Sequence, residues 1–334
     1  MTVALITGIT GMVGSHVADF LLRETDWEIH GLLRWRSPLD NISHLTEEIN
    51  SGNRIKLIYG DLLDDQSINL AVQQSRPDFV FHLAAQSFPK TSFTAPIHTF
   101  DVNILGTYRL LQSLQSIVPN SKVHVCSSSE VFGRVPAEFV PIREDTPFHP
   151  ASPYAISKVG TDLIARFFGE AYGMQIVTTR MFTHTGPRRG DVFAESSFAK
   201  QIAMIENNLI PPKVKVGNLD SMRTFADVRD AVRAYYLALT NENAIGKTFN
   251  IGGTHSCTVG EMLDYLISQS TVRSIQIEID QDRLRPIDAD LQIPDTSYFR
   301  NITGWQPSIS YEKTMNDLLQ YWRDRILTAA TIQR

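Results

Sequence analysis

The chain has 334 residues, 43% of them apolar and 20% charged, with a formal net charge of −5. That length buries a large core, as one large domain or two smaller ones. The mild negative charge, without any Lys/Arg block, argues against a nucleic-acid partner. Cys126 and Cys257 are the only cysteines. They have no metal-ligand spacing and are too few for a disulfide scaffold, so no metal is expected. No run of about 18 apolar residues occurs, which predicts no membrane span. The start of the chain has no basic segment followed by a long apolar one, and the expectation is a cytoplasmic protein.

In chain order, the first half alternates β-branched runs with amphipathic stretches. The pattern predicts strands at 3–7, 28–33, 55–59, 79–83 and 123–127, with helices at 12–24, 66–75 and 97–117 between them. A helix at 153–172 and a sixth strand at 176–180 follow. Several of these strands are almost wholly apolar, as strands covered on both faces are. The fold class is therefore α/β, a Rossmann-type doubly wound parallel sheet. After Arg180 the pattern loosens. Helices are predicted at 196–207, 228–240, 259–268 and 311–323, and weak strands at 214–216, 248–251 and 275–279. This half reads as a smaller α/β lobe, giving a cofactor domain over 1–180 and a mainly substrate-binding lobe over 181–330. Some of its segments are expected to return to the first domain.

The first strand runs into Thr7-Gly8-Ile9-Thr10-Gly11-Met12-Val13-Gly14 and then a helix. Gly8 suits the tight turn, Gly11 the approach of a pyrophosphate, and Gly14 close packing of helix on strand. With Thr10, Met12 and Val13 they form a phosphate-binding helix N-terminus. The second strand ends in Arg34-Trp35-Arg36 rather than in a carboxylate. Two guanidinium groups suit a 2′-phosphate, which predicts NADP, with NAD possible. Asp61 and Leu62, after the third strand, and Leu83, Ala84 and Ala85, after the fourth, complete the candidate dinucleotide site.

Tyr154 and Lys158 are four residues apart, on one face of a helix. An ammonium beside a phenol favours phenolate, so Tyr154 is a candidate proton acceptor. Ser127-Ser128-Ser129-Glu130 follows the fifth strand, at the sheet end where such folds gather their sites.

The segments TGITGMVG (7–14), YGDLLD (59–64), HLAAQS (82–87), DVNILGT (101–107), SSSEVFG (127–133), SPYAISK (152–158) and TGWQP (303–307) resemble the extended short-chain dehydrogenase/reductase family along nearly the whole chain. The resemblance implies a nicotinamide enzyme acting on a nucleotide-diphosphate sugar, with Ser128, Tyr154 and Lys158 as its catalytic set. It also implies Tyr154 and Lys158 in the cofactor site. Glu130 resembles the carboxylate with which sugar 4,6-dehydratases remove the carbon-five proton. The segments 184–190 and 216–223 are similar to those of GDP-mannose 4,6-dehydratases, which implies a GDP-linked substrate. Ser87, Glu130, His184, Arg189, Lys200, Val216, Arg223 and Arg285 are the substrate candidates. The segments 198–202, 214–219, 225–230 and 283–286 resemble GDP-4-keto-6-deoxymannose reductases at least as much. Those reductases also resemble this chain in having Ser-Ser followed by Glu in the loop that carries Glu130, so reductase and 4-epimerase activities stay open. Family likeness further implies a homodimer or homotetramer.

Overall fold

The computed structural model describes residues 1–284, 287 and 289–332. The first half contains β1 (Val3–Thr7), α1 (Met12–Glu24), β2 (Glu28–Leu33), α2 (Thr46–Ser51), β3 (Ile55–Tyr59), α3 (Asp65–Ser75) and β4 (Phe79–His82). It continues through α4 (Pro89–Thr94), α5 (Pro96–Phe100), α6 (Gly106–Ile117), β5 (Lys122–Cys126), α7 (Pro153–Tyr172) and β6 (Gln175–Met181). The second half adds β7 (His184–Thr185), α8 (Ala194–Glu206), β8 (Lys213–Val216), β9 (Met222–Asp227), α9 (Val228–Thr240), β10 (Thr248–Ile251) and β11 (His255–Thr258). It closes with α10 (Val259–Ser268), β12 (Gln276–Ile279), β13 (Leu291–Gln292), α11 (Ser297–Thr303) and α12 (Tyr311–Ile332).

The main sheet has seven strands in the order β10-β6-β5-β4-β1-β2-β3, every neighbouring pair parallel. Side-chain alternation sends Ala4 and Ile6 of β1 into a core shared with α1 and α9, while Leu5 packs on the opposite face. There it meets Leu110, Leu111 and Leu114 of α6 and Phe168 of α7. Helices thus cover both faces, which explains why all six residues of β2 are buried. The order reverses at β1, and the crevice outside the carboxyl ends of β1 and β4 is the ligand position of such sheets.

A second core joins Phe198 and Ile202 of α8, Met262 and Leu266 of α10, and Leu318 and Trp322 of α12. It supports the small sheet β11-β9-β13 and the pair β12-β8.

Three features refine the sequence expectations. Strand 248–251 is one of the segments that return to the first domain; it extends the main sheet beside β6. The helix expected at 97–117 contains a π-turn, Asp101–Leu105, between α5 and α6. That wider turn carries Asn103, whose Nδ2 donates to Gln86 O at 3.0 Å and to Ser157 Oγ at 2.8 Å. The last helix runs on to Ile332, because neither Gly nor Pro interrupts the chain after Arg323.

Candidate active site

A cleft of about 1110 Å³ opens at the carboxyl ends of the strands, bordered on its other side by α8 and the loops around β8 and β9. Its dinucleotide end begins with Gly8, at φ +75, where a side chain would meet the Ala84 backbone at 3.0 Å. At Gly14 a Cβ would lie 2.2 Å from Gly8 O and 2.8 Å from Ile9 Cα. Glycine is therefore what lets α1 sit against the turn. No side chain caps α1, and no acidic residue occupies its first turn. Its free N–H groups and partial positive charge are the right donors for a pyrophosphate. The cradle fits a dinucleotide. We expect Gly14→Ala to weaken cofactor binding sharply and to cost about 1–3 kcal/mol of stability through overpacking. Cofactor titration and thermal unfolding read the two effects, and unchanged affinity would remove Gly14 from the site.

Thr7 locks this end together. Its Oγ1 accepts from Leu83 N at 3.0 Å and Ala84 N at 3.1 Å, and lies 2.9 Å from His82 Nδ1. Thr10, Gly11, Met12, Val13, Asp61, Leu62, Leu83, Ala84 and Ala85 all border the cleft. So does Arg34, but Arg36 does not. The two arginines are therefore not equivalent, since the turn in which Ser37 N donates to Arg34 O separates them. Sequence reasoning missed Ser37 and Asn41, which also border the cleft. Asn41 Nδ2 donates to Thr10 O at 3.0 Å, tying the arginine loop to the glycine turn. No spacing signal in the sequence connects those two residues.

At the chemical centre, β5 ends at Cys126 and the chain turns at Ser128. This serine caps the short 3-10 helix Ser129–Phe132, its Oγ accepting from Glu130 N at 3.2 Å. Ser152 caps α7 by accepting from Ala155 N at 3.0 Å, and Pro153 occupies the first helical turn. The cap fixes where Tyr154 and Lys158 emerge. Ser128, Glu130, Tyr154 and Lys158 all border the cleft.

Burial pushes the Tyr154 phenol well above its ordinary value, while a hydrogen bond from Ser128 pulls in the opposite direction. Glu130 and Cys126 push it further up, and Arg189 pulls it down. Burial likewise lowers Lys158, whose Nζ donates to Cys126 O at 2.8 Å. The helical spacing therefore does not by itself produce a phenolate: with the ammonium turned to a carbonyl, desolvation dominates.

Toward the other end, His184 is held neutral. Burial and then Arg189 bring it to about 4, and its Nδ1 lies 3.2 Å from Phe182 O. Arg189 Nε donates to Glu195 at 3.0 Å, and its guanidinium carbon lies 3.4 Å from the Phe193 ring centre. Ser87, Glu130, His184, Arg189 and Arg223 border the cleft. Arg223 donates to Met222 O at 3.0 Å and to Ala289 O. Lys200 and Val216 do not border it. Lys200 Nζ reaches Asp191 at 2.6 Å, and Val216 is fully buried in the lobe core. Arg285 lies outside the described residues. Arg283, in the same Arg-Leu-Arg-Pro segment, does border the cleft and donates to Ser197 Oγ at 3.0 Å. Lys90 also borders it, donating to Asp282 O across the opening.

Among the described residues no group of His, Cys, Asp and Glu is placed to hold a metal ion. No described helix is long and apolar enough to cross a membrane.

Comparison with known proteins places this geometry. The family model described as GDP-mannose 4,6 dehydratase matches residues 5–318. GDP-mannose 4,6 dehydratase 1 of Arabidopsis thaliana is 34% identical over 98% of this chain and 93% of its own length. The GDP-mannose 4,6-dehydratase of Yersinia enterocolitica is 31% identical over 96% of this chain and 93% of its own length. Among solved structures, RMD from Pseudomonas aeruginosa complexed with NADPH superposes with a TM-score of 0.82 at 27% identity, covering 97% of this chain and 100% of that one. UDP-glucuronic acid 4-epimerase from Bacillus cereus, with UDP-glucuronic acid and NAD, gives 0.83 at 25% identity over 97% and 100%. With a family match over most of its length and relatives above 30% identity that cover nearly all of it, the chain belongs to the GDP-mannose 4,6 dehydratase family.

Proposed function

We propose that this chain is an NADP-using nucleotide-sugar 4,6-dehydratase whose substrate is GDP-mannose. The carrying observation is the family match over residues 5–318, and in agreement with it a second acid–base group, Glu130, meets Ser128 and Tyr154 in one cleft. A simple alcohol–ketone exchange at carbon four needs only the serine and the tyrosine. Elimination of water across carbons five and six needs a further base.

When bound, the nicotinamide cofactor supplies a place to store the carbon-four hydride and to return it at carbon six. The protein's part is proton handling. Tyr154 accepts the proton of the carbon-four hydroxyl, with Ser128 hydrogen-bonded between the phenol and the reacting oxygen. For this Tyr154 must ionise, so the bound state must offset the desolvation that holds it neutral. Lys158, one helical turn along, is the side chain placed to do so once it leaves Cys126 O. The carbon-four ketone then acidifies the carbon-five proton. Glu130 accepts it, and the carbon-six hydroxyl leaves as water with a proton that Ser128 helps deliver. The two protons taken up by Tyr154 and Glu130 are thereby given back, one to the departing water and one to carbon five when carbon six receives the hydride. Arg189, Arg223 and Arg283 are the cationic candidates for the diphosphate, since guanidinium forks match phosphate oxygens.

On this reading residues 1–180 hold cofactor and catalytic groups, and 181–330 mainly grip the substrate. The seventh strand, β10, with α9 and α11 packed into the core of the main sheet, is the part of the second segment that returns. Exposed apolar side chains on α5 and α7, including Ile97, Ile156, Leu163 and Phe167, support assembly into a homodimer or homotetramer through those helices. A cytoplasmic setting, where both nucleotides are available, belongs to the same proposal.

The test is incubation of the purified protein with GDP-mannose and catalytic NADP, followed by mass spectrometry. A nucleotide sugar lighter by one water, without net cofactor reduction, is expected. An unchanged sugar, together with NADPH-dependent reduction of the 4-keto-6-deoxy sugar, would move the chain to the reductase reading that segments 198–202 and 225–230 also resemble.

A further inference from the structure

Arg180, at the end of β6, does not border the cleft, yet it links the two elements that do the chemistry. Its Nε donates to Asp162 Oδ2 at 2.8 Å and its Nη2 to Asp162 Oδ1 at 3.1 Å. Asp162 lies on α7, one helical turn beyond Lys158 and on the same face. Arg180 Nη1 donates to Glu144 O at 2.7 Å. The guanidinium carbon also lies 5.3 Å from the ring centre of Phe132 and 4.7 Å from that of Phe148. Phe132 is the last residue of the 3-10 helix that carries Glu130. Both charged side chains are nearly sealed from solvent, 8% and 5% exposed.

A buried ion pair of this kind adds little net stability over apolar residues of the same volume, because desolvation offsets the attraction. Its geometry is restrictive, however: a planar fork bound bidentately to α7 and laid against the ring of Phe132 on the Glu130 helix, with Phe148 of the following loop beside it, fixes the separation of the two elements. We infer that Arg180 is a positioning residue that sets Glu130, through Phe132, against Tyr154 and Lys158 on α7. It thereby governs the second half of the reaction, carbon-five deprotonation with loss of water, rather than the first. The inference rests on the dehydratase reading for its kinetic consequence, but its structural consequence stands apart from that reading.

Two variants test it. Arg180→Lys keeps the charge and loses the fork. The pair Arg180→Met with Asp162→Leu replaces the ion pair by apolar volume, and so keeps the fold where a lone charge would be stranded. Wild type and both variants are compared in two measurements. In amide hydrogen exchange, faster exchange is expected at Val131 and Gly133, whose N–H groups close the 3-10 turn onto Ser128 O and Glu130 O. Unchanged protection would overturn the inference whatever the enzyme's substrate.

In turnover of GDP-mannose, kcat is expected to fall about 10²-fold from misplacement of a reacting group, with KM little changed. The decisive readout is the near-ultraviolet absorbance of reduced nicotinamide during turnover. It builds up if carbon-four oxidation proceeds while elimination stalls. A slower reaction without that build-up means that Arg180 serves every step through the fold alone, and the positioning role fails. If wild type leaves GDP-mannose unchanged, the dehydratase reading falls, and hydrogen exchange still decides the link between Arg180 and the Glu130 turn.

Discussion

Replacing Tyr154 by phenylalanine is expected to lower turnover by roughly 10²–10⁴-fold, the range over which one positioned acid–base group acts. The ring would still fill its place at the start of α7, which Ser152 and Pro153 hold independently of the phenol. Cofactor affinity is therefore expected to stay within a few-fold of wild type, and the melting temperature nearly unchanged. What disappears is the oxygen hydrogen-bonded to Ser128. Turnover within about tenfold of wild type would show that some other group handles the carbon-four proton. The same substitution separates an enzyme from a nucleotide-binding protein that has kept only the fold, because only the enzyme loses a measured activity while still binding dinucleotide.

The second large effect is expected at Glu130. Glu130→Gln keeps the shape of the side chain and leaves the backbone bond from Glu130 N to Ser128 Oγ intact. It removes the only property the dehydration requires of it, a carboxylate that accepts a proton. Loss of water from GDP-mannose should fall by about 10²–10⁴-fold. Oxidation at carbon four should continue, visible as reduced nicotinamide that is not reoxidised. A reductase of the same fold would behave otherwise, since hydride delivery to a 4-ketone needs the tyrosine but no carbon-five base. Its NADPH-dependent activity should survive Glu130→Gln largely intact. One substitution therefore tests the residue's role and the reaction class together.

These expectations start from residues already prominent in the sequence. The glycine turn was legible because a Cβ at Gly8 or Gly14 collides with backbone a few residues away or across one strand, a local requirement with a fixed spacing. Several strands of the main sheet were legible because burial on both faces leaves an almost unbroken apolar run, as in β2, all six of whose residues are buried. Ser128, Glu130, Tyr154 and Lys158 were legible because the cap, the strand end and the helical repeat that present them are each short-range features.

The rest depended on partners far away along the chain. That Arg34 borders the cleft and Arg36 does not goes with a turn that separates them, in which Ser37 N donates to Arg34 O. Lys200, an expected substrate residue, does not itself border the cleft: its ammonium pairs with Asp191 on the cleft wall and lies over the Trp322 ring. Thr248–Ile251 was a weak strand with no evident sheet until β6 offered it an edge. The state of Tyr154 could not be read from its spacing to Lys158, because burial and the bond from Lys158 to Cys126 O outweigh proximity along the helix. The sequence by itself determined the α/β class and the glycine turn, and singled out the candidate acid–base groups, because each rests on interactions spanning a few residues. Only the tertiary structure decided which cations face the cleft, how the proton acceptor is held and how Arg180 joins α7 to the Glu130 turn, because those depend on burial and on contacts between segments that the order of residues does not bring together.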